Sequence, residues 1–223
     1  GRLDATNIIS PLVSVITNIC LDHTQYLGTT LPLIAAEKSG IIKENTPVVI
    51  GEYHPETFPV FEQIATSKKA DLHKAFNMEV ELPPIGLLGN YQIKNAKTVL
   101  KTVELLQSQF VISTQNIKNG LLNVVTNTGL QGRWQIIQNQ PLTICDTAHN
   151  THGLTEVVLQ LEKINKGQLH FVIGMVKEKD ISAVIAILPK NAIYYFCAPK
   201  NKRACSAEEL QKLFHKKERF GAV

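Results

Sequence analysis

Residues 12–50 read LVSVITNICLDHTQYLGTTLPLIAAEKSGIIKENTPVVI, and the order of patterns within them decides the fold class. The β-branched run Leu12 to Ile19 predicts a strand, Leu31 to Ile42 a helix, and Val48 to Ile50 a second, short strand. A further helix is predicted from Pro55 to Lys69. Strand, helix, strand, helix at this spacing implies βαβ units and a parallel sheet, because parallel neighbours need a crossover between them.

Further along, Leu82-Pro83-Pro84 reads as a hinge. Beyond it Ile93, Ala96, Val99, Leu100, Val103 and Leu106 recur at helical spacing, predicting an amphipathic helix over Gly89 to Gln107 that begins near Gly89-Asn90. A helical stretch around Asn116 to Val125 gives way to Thr126-Asn127-Thr128-Gly129-Leu130-Gln131-Gly132, polar and glycine-bearing, where a domain boundary is expected. The predicted domains are 1–130 and 131–223. The second carries strands Trp134 to Ile137 and Leu142 to Asp146, a helix from Leu154 to Ile164 and a strand Leu169 to Ile173. It continues with a helix Asp180 to Leu188, a strand Ala192 to Cys197 and a helix Ser206 to Lys217. That is a second, smaller α/β domain. The opening Gly1-Arg2-Leu3-Asp4, with no strand before it, and the close at Phe220-Gly221-Ala222-Val223, which looks like the start of a strand or turn, lead to the expectation of a fragment of a longer protein.

Composition narrows the function. Of 223 residues, 23 are Lys or Arg and 19 Asp or Glu, a net +4 with no dense basic block, so the chain lacks the electrostatic footprint of nucleic-acid binding. No apolar run approaches the roughly 18 residues of a membrane span, and the first residues are not a secretory signal. Cys20, Cys145, Cys197 and Cys205 form no CxxC pair and read as reduced core thiols of a cytoplasmic protein.

Polar residues at strand ends carry the chemistry, since loops there open onto the crevice where ligands bind. Asp22-His23 follows the first strand; the pair suits a cation or a phosphate-bearing substrate, or equally a capped turn and a surface histidine. Lys38 stands in an apolar helical stretch, where burial would favour a neutral amine unless the side chain snorkels to water beside Glu37. Asp146-Thr147-Ala148-His149-Asn150 lies between a strand and a helix. Asp146 can accept from ribose hydroxyls and His149 can face a phosphate, or Asn150 and Thr151 simply cap the helix. Lys177 and Asp180 are either crevice residues or surface charges. No G-x-x-x-x-G-K-[ST], G-x-S-x-G, H-E-x-x-H or G-x-G-x-x-G occurs, so a phosphate loop, a hydrolase elbow, a zincin and a dinucleotide fingerprint are all absent from the sequence.

Taken in order, Gly1-Arg2-Leu3-Asp4-Ala5-Thr6-Asn7, Ile16-Thr17-Asn18-Ile19-Cys20-Leu21-Asp22-His23-Thr24, Glu37-Lys38-Ser39-Gly40-Ile41, Gly89-Asn90-Tyr91-Gln92-Ile93-Lys94-Asn95-Ala96, Gly132-Arg133 and Asp146-Thr147-Ala148-His149-Asn150 resemble the folylpolyglutamate synthase/dihydrofolate synthase family of Mur-type ligases. The resemblance implies part of a P-loop-type parallel-sheet central domain followed by a smaller Rossmann-like α/β C-terminal domain that closes over ATP. It implies an ATP-dependent ligase joining L-glutamate to dihydropteroate or folate through an acyl phosphate, with Mg2+, working as a monomer. By the same resemblance His23 is a magnesium ligand and Lys38 carries a carbamate that helps hold the metal. Gln92 and Asn95 contact adenine, Arg133 reaches the ATP phosphates, Asp146 holds the ribose and His149 lies near the phosphate end. Asp4 and Ala5 lie near the pterin-bearing substrate. The family's Walker A loop and metal-binding glutamate precede the Gly1–Asn7 block, the stretch Ala70 to Pro84 is short for the family, and a final strand is expected beyond Val223, so this chain alone is expected to be inactive. A ligase for a peptidoglycan precursor and a non-catalytic domain pair are the alternatives.

Overall fold

β-branched residues carry the first two strands of the first half. In the computed structural model, which describes residues 1–22, 24–164, 167–177, 179–216 and 221–222, the chain divides into two units, Gly1–Gln135 and Ile136–Val223. The first contains β1 (Ser14–Ile16), α1 (Thr24–Leu27), α2 (Leu31–Ser39), β2 (Val48–Ile50), α3 (Phe58–Ser67), β3 (Leu72–Lys74), α4 (Gln92–Leu106), α5 (Thr114–Leu122) and α6 (Val124–Thr128). The strands form a parallel sheet in the order β1-β2-β3, with Val15 opposite Val49 and Val49 opposite His73. β2 is central and buried on both faces, as its unbroken apolar triplet requires. Val48 and Ile50 pack with Ile16, Ala35, Phe58 and Phe61. Val49 points the other way along the alternating strand, and α4 lies against β2.

The parallel βαβ order expected from the sequence is therefore present, with different limits. β1 is three residues long rather than spanning Leu12 to Ile19. Its last ladder bond runs from the Gly51 amide to the Ile16 carbonyl at 2.8 Å, and beyond it the chain passes so close to Gly51 that a Cβ there would stand 2.5 Å from the Thr17 oxygen. α2 ends at Ser39, short of Ile42, because the amides of Gly40, Ile41 and Ile42 turn back to carbonyls three residues earlier. The predicted helix start near Gly89-Asn90 is a turn, and α4 proper begins at Gln92. The stretch expected as one helix around Asn116 to Val125 is two, with a Ser113/Asn116 capping box opening α5 and a break at Asn123. β3 has no apolar alternation to announce it and is an edge strand of half-exposed residues.

The second unit takes in most of β4 (Gln135–Asn139), then β5 (Leu142–Cys145), α7 (Thr151–Ile164), β6 (Leu169–Ile173), α8 (Ile181–Ile187), β7 (Ala192–Phe196), α9 (Ala207–His215) and β8 (Gly221–Ala222). β4 and β5 pair as a hairpin, and β6-β7-β8 form a second parallel sheet with Tyr194 opposite both Phe171 and Gly221. The strand start expected near Gly221 is thus β8; the expected helix end at Lys217 lies outside the described residues. The core gathers Leu154 and Val158 of α7, Val184 and Ile185 of α8, and Leu210 and Phe214 of α9 around Tyr194 and Phe196. Their rings meet at 5.1 Å (Tyr194 with Phe214) and 4.9 Å (Phe196 with Phe214), and the buried Tyr194 hydroxyl donates to the Pro189 carbonyl.

The reading of all four cysteines as core thiols is corrected: only Cys205 is buried, Cys20 and Cys145 are half-buried, and Cys197 is exposed near the end of β7. Burial, with the Glu209 carboxylate beside it, pushes the Cys205 thiol up from its ordinary value. Among the described residues, no helix is long and apolar enough to cross a membrane.

Candidate functional site

In the first unit, the chain leaving β1 opens a cavity of about 380 Å³. Ile16, Thr17, Asn18 and Asp22 wall it from the strand end and its loop, and Lys38 and Ile41 from the end of α2. This is the C-terminal end of a parallel strand, where the sheet leaves room for a ligand. Asp22 and Lys38, sixteen residues apart, are thus brought to one cavity. His23 lies outside the described residues. Of the two readings of Lys38 the exposed one holds: α2 presents Ile34, Ala35 and Ser39 to the interior and turns the Lys38 position outward. Among the described residues Lys38 makes no ion pair.

The first eight residues fold onto the end of α2. The Arg2 guanidinium straddles the Glu37 carboxylate, with Nε 3.2 Å from each oxygen and one terminal nitrogen 3.0 Å from Oε1, and the Arg2 amide donates to the Glu37 carbonyl at 2.8 Å. The Asn7 side-chain amide bridges the carbonyls of Arg2 (3.3 Å) and Gly40 (2.9 Å), and the Lys43 ammonium reaches the Asn7 carbonyl at 2.6 Å. Gly40 is required here, since a Cβ would lie 2.5 Å from the Arg2 Cβ. Between these anchors Asp4 caps a short 3-10 turn, Ala5–Ile8, and accepts from the Thr6 amide at 2.8 Å and from the Thr6 hydroxyl. Those hydrogen bonds hold the Asp4 carboxyl below its ordinary range, helped by Lys38. Asp4 and Ala5 are both exposed. Sequence reasoning passed over Arg2, Glu37 and Asn7. The signal was opposite charge in two blocks, the second of them carrying a glycine at position 40.

On α4, Gln92 is buried and its side-chain oxygen accepts from the Asn95 amide at 2.9 Å, so the two residues assigned to a purine edge form one amide pair a turn apart. Arg133 is exposed and donates to the Gly132 carbonyl at 3.1 Å; Gly132 itself is left-handed, at φ 68°.

In the second unit, β5 ends at Cys145 and the chain turns into α7. The half-buried Asp146 carboxylate accepts from the Ala148 amide at 2.8 Å, and the Asn150 side chain caps α7 by accepting from the Gly153 amide at 2.9 Å. His149 is exposed, its Nδ1 3.1 Å from the Thr147 carbonyl. The capping reading of this segment holds at Asn150, while Asp146 and His149 stand at the strand end ahead of the helix. Lys177 pairs with Glu209 at 3.6 Å and Asp180 caps α8 by accepting from the Ala183 amide at 3.0 Å, so both have structural partners.

Among the described residues no three His, Cys, Asp or Glu side chains stand together as a metal site. Magnesium asks less of a protein. It keeps several waters and takes one or two carboxylates beside substrate phosphates, and a cavity lined by Asp22, Thr17 and Asn18 has the residue types for that chemistry.

Residues 132–222 match the family model described as Mur ligase, glutamate ligase domain. The dihydrofolate synthase/folylpolyglutamate synthase of Buchnera aphidicola subsp. Schizaphis graminum is 33% identical over 95% of this chain and 53% of its own length. The Escherichia coli FolC structure in complex with DHPP and ADP superimposes with a TM-score of 0.85 at 29% identity, covering 100% of this chain and 55% of that one. A bifunctional folylpolyglutamate synthase/dihydrofolate synthase with Mn, AMPPNP and L-glutamate bound gives a TM-score of 0.79 at 26% identity, over 100% of this chain and 61% of that one. The chain thus spans about half the length of the curated relatives it matches. With six motif blocks in order, two α/β units and a glutamate-ligase domain at residues 132–222, the chain belongs to the folylpolyglutamate synthase/dihydrofolate synthase family of Mur-type ligases.

Proposed function

We propose that this chain is part of an ATP-dependent ligase that joins L-glutamate to dihydropteroate, to folates, or to both. The observation that carries the reading is the convergence of Lys38 and Asp22 on the cavity at the end of β1. A carboxylate oxygen of the pterin-bearing acid attacks the γ-phosphorus of ATP and ADP leaves. The glutamate amine then attacks the acyl carbon, inorganic phosphate departs with the C–O bond electrons, and the amine sheds a proton as the amide forms. Catalysis of this kind is positioning and charge neutralisation, which cationic side chains and a divalent ion supply. The solved relative with Mn, AMPPNP and L-glutamate bound, and FolC with DHPP and ADP, support the substrate set.

On this reading Gln92 and Asn95 meet the adenine, Arg133 the phosphates, Asp146 the ribose and His149 the phosphate end, while Asp4 and Ala5 meet the pterin-bearing acid. Magnesium would be held by His23 and by a carbamate on Lys38, and would neutralise phosphate charge. An exposed Lys38 is open to CO₂, and as a carbamate it would add a carboxylate facing Asp22. The enzyme works as a monomer in the cytoplasm, without nucleic-acid or membrane partners.

The test is ATP- and magnesium-dependent incorporation of labelled glutamate into dihydropteroate and tetrahydrofolate by the complete polypeptide. Incorporation into either acid is expected. Incorporation into neither, with activity on a UDP-sugar peptide, would move the assignment to a peptidoglycan-type ligase, and no ligation at all to a non-catalytic module.

A further inference from the structure

We propose that Arg2, Glu37 and Asn7 are positioning residues: they clasp residues 1–8 onto the C-terminal end of α2 and thereby set where the Asp4 carboxylate stands relative to the Lys38 amine. The proposal rests on the reading above, in which Asp4 and Lys38 serve one reaction.

The last carbonyls of a helix have no partner within it. Here residues 1–8 add partners: the Arg2 amide takes the Glu37 carbonyl at 2.8 Å beside the longer 3.4 Å bond from the Gly40 amide, and the Asn7 side chain takes the Gly40 carbonyl. The Arg2 guanidinium closes on the Glu37 carboxylate through three contacts of 3.0–3.2 Å, a planar fork that an ammonium does not reproduce. Lys43, just past α2, holds the far anchor through the Asn7 carbonyl at 2.6 Å. Anchored at residues 2 and 7, the segment has little freedom at Asp4, which lies between them, capped onto Thr6 and within the electrostatic reach of Lys38. Lys38 immediately follows Glu37 on the same helix, and Gly1 lines the cavity that Lys38 enters. The clasp thus ties the loop bearing Asp4 to the helical turn bearing Lys38.

Hydrogen exchange on this chain tests the clasp directly. In Arg2→Ala, and independently in Gly40→Ala, which wedges the loop away while keeping the ion pair's residues, the amides of residues 4–9 should exchange several-fold faster, with α3 unchanged. Arg2→Lys should recover part of the protection, and the swap R2E/E37R most of it. In the complete enzyme, Arg2→Ala should raise KM for the pterin-bearing acid several-fold at unchanged KM for ATP, and the swap should bring it back. Unaltered exchange in both Arg2→Ala and Gly40→Ala, or a kinetic loss spread equally over both substrates and not rescued by the swap, would overturn the proposal. Full glutamate incorporation by Lys38→Ala would instead overturn the functional reading, leaving the exchange result to decide the clasp.

Discussion

Lys38 shows what one residue's surroundings can and cannot say. Its neighbours Ile34 and Ala35 are buried, which makes the local sequence look like a core helix, yet the helical period turns position 38 outward to the cavity. Lys38→Ala in the complete enzyme should lower glutamate incorporation by orders of magnitude, and added short carboxylates should recover part of it if a carbamate is the working group. At Asp4 the prediction concerns pH. The Thr6 hydroxyl and amide favour the carboxylate, so its folded value lies below its unfolded one. The stability it lends is fully present above the ordinary carboxylate range and is lost as pH falls through the folded value. Carboxyl-carbon NMR should give a midpoint below that of an unstructured peptide, and Thr6→Ala should move it back up.

At the scale of elements, the sequence was legible where period and cap agreed. Val48 to Ile50 was read to the residue because a strand buried on both faces is apolar throughout. β3 was not, because Leu72-His73-Lys74 owes its strand geometry to pairing with β2 rather than to its own pattern. Likewise the close passage of the chain leaving β1 over Gly51, thirty-five residues after Ile16, is a contact that local periodicity does not contain. Motif blocks marked the Asp4, Lys38, Gln92 and Asp146 regions, whereas the Arg2–Glu37 clasp needed the fold to bring it together. The turn into α7 separates stability from binding. Asn150→Ala removes a cap and should cost about 1 kcal/mol, read as a lower denaturation midpoint. Asp146→Ala should chiefly raise KM for ATP with kcat little changed; an unaltered KM would remove Asp146 from the ribose.

At the scale of the whole molecule, among the described residues each unit has a core of its own. Ile16, Val48, Ile50 and Phe61 serve the first; Tyr194, Phe196, Leu210 and Phe214 serve the second. Truncating a buried phenylalanine removes its transfer free energy and leaves a cavity, at a cost of about 3–5 kcal/mol. Because that loss falls on the atoms lining the cavity, it should stay within one unit. Phe214 touches Tyr194 and Phe196 on β7, so Phe214→Ala should speed amide exchange throughout β6 and β7 while β1 and β2 keep their protection. Phe61→Ala should do the reverse, loosening β1 and β2 alone. If either substitution opened both sheets together, the two cores would unfold as one cooperative body. In that case the division at Gln135 would describe the folded shape and not the folding unit.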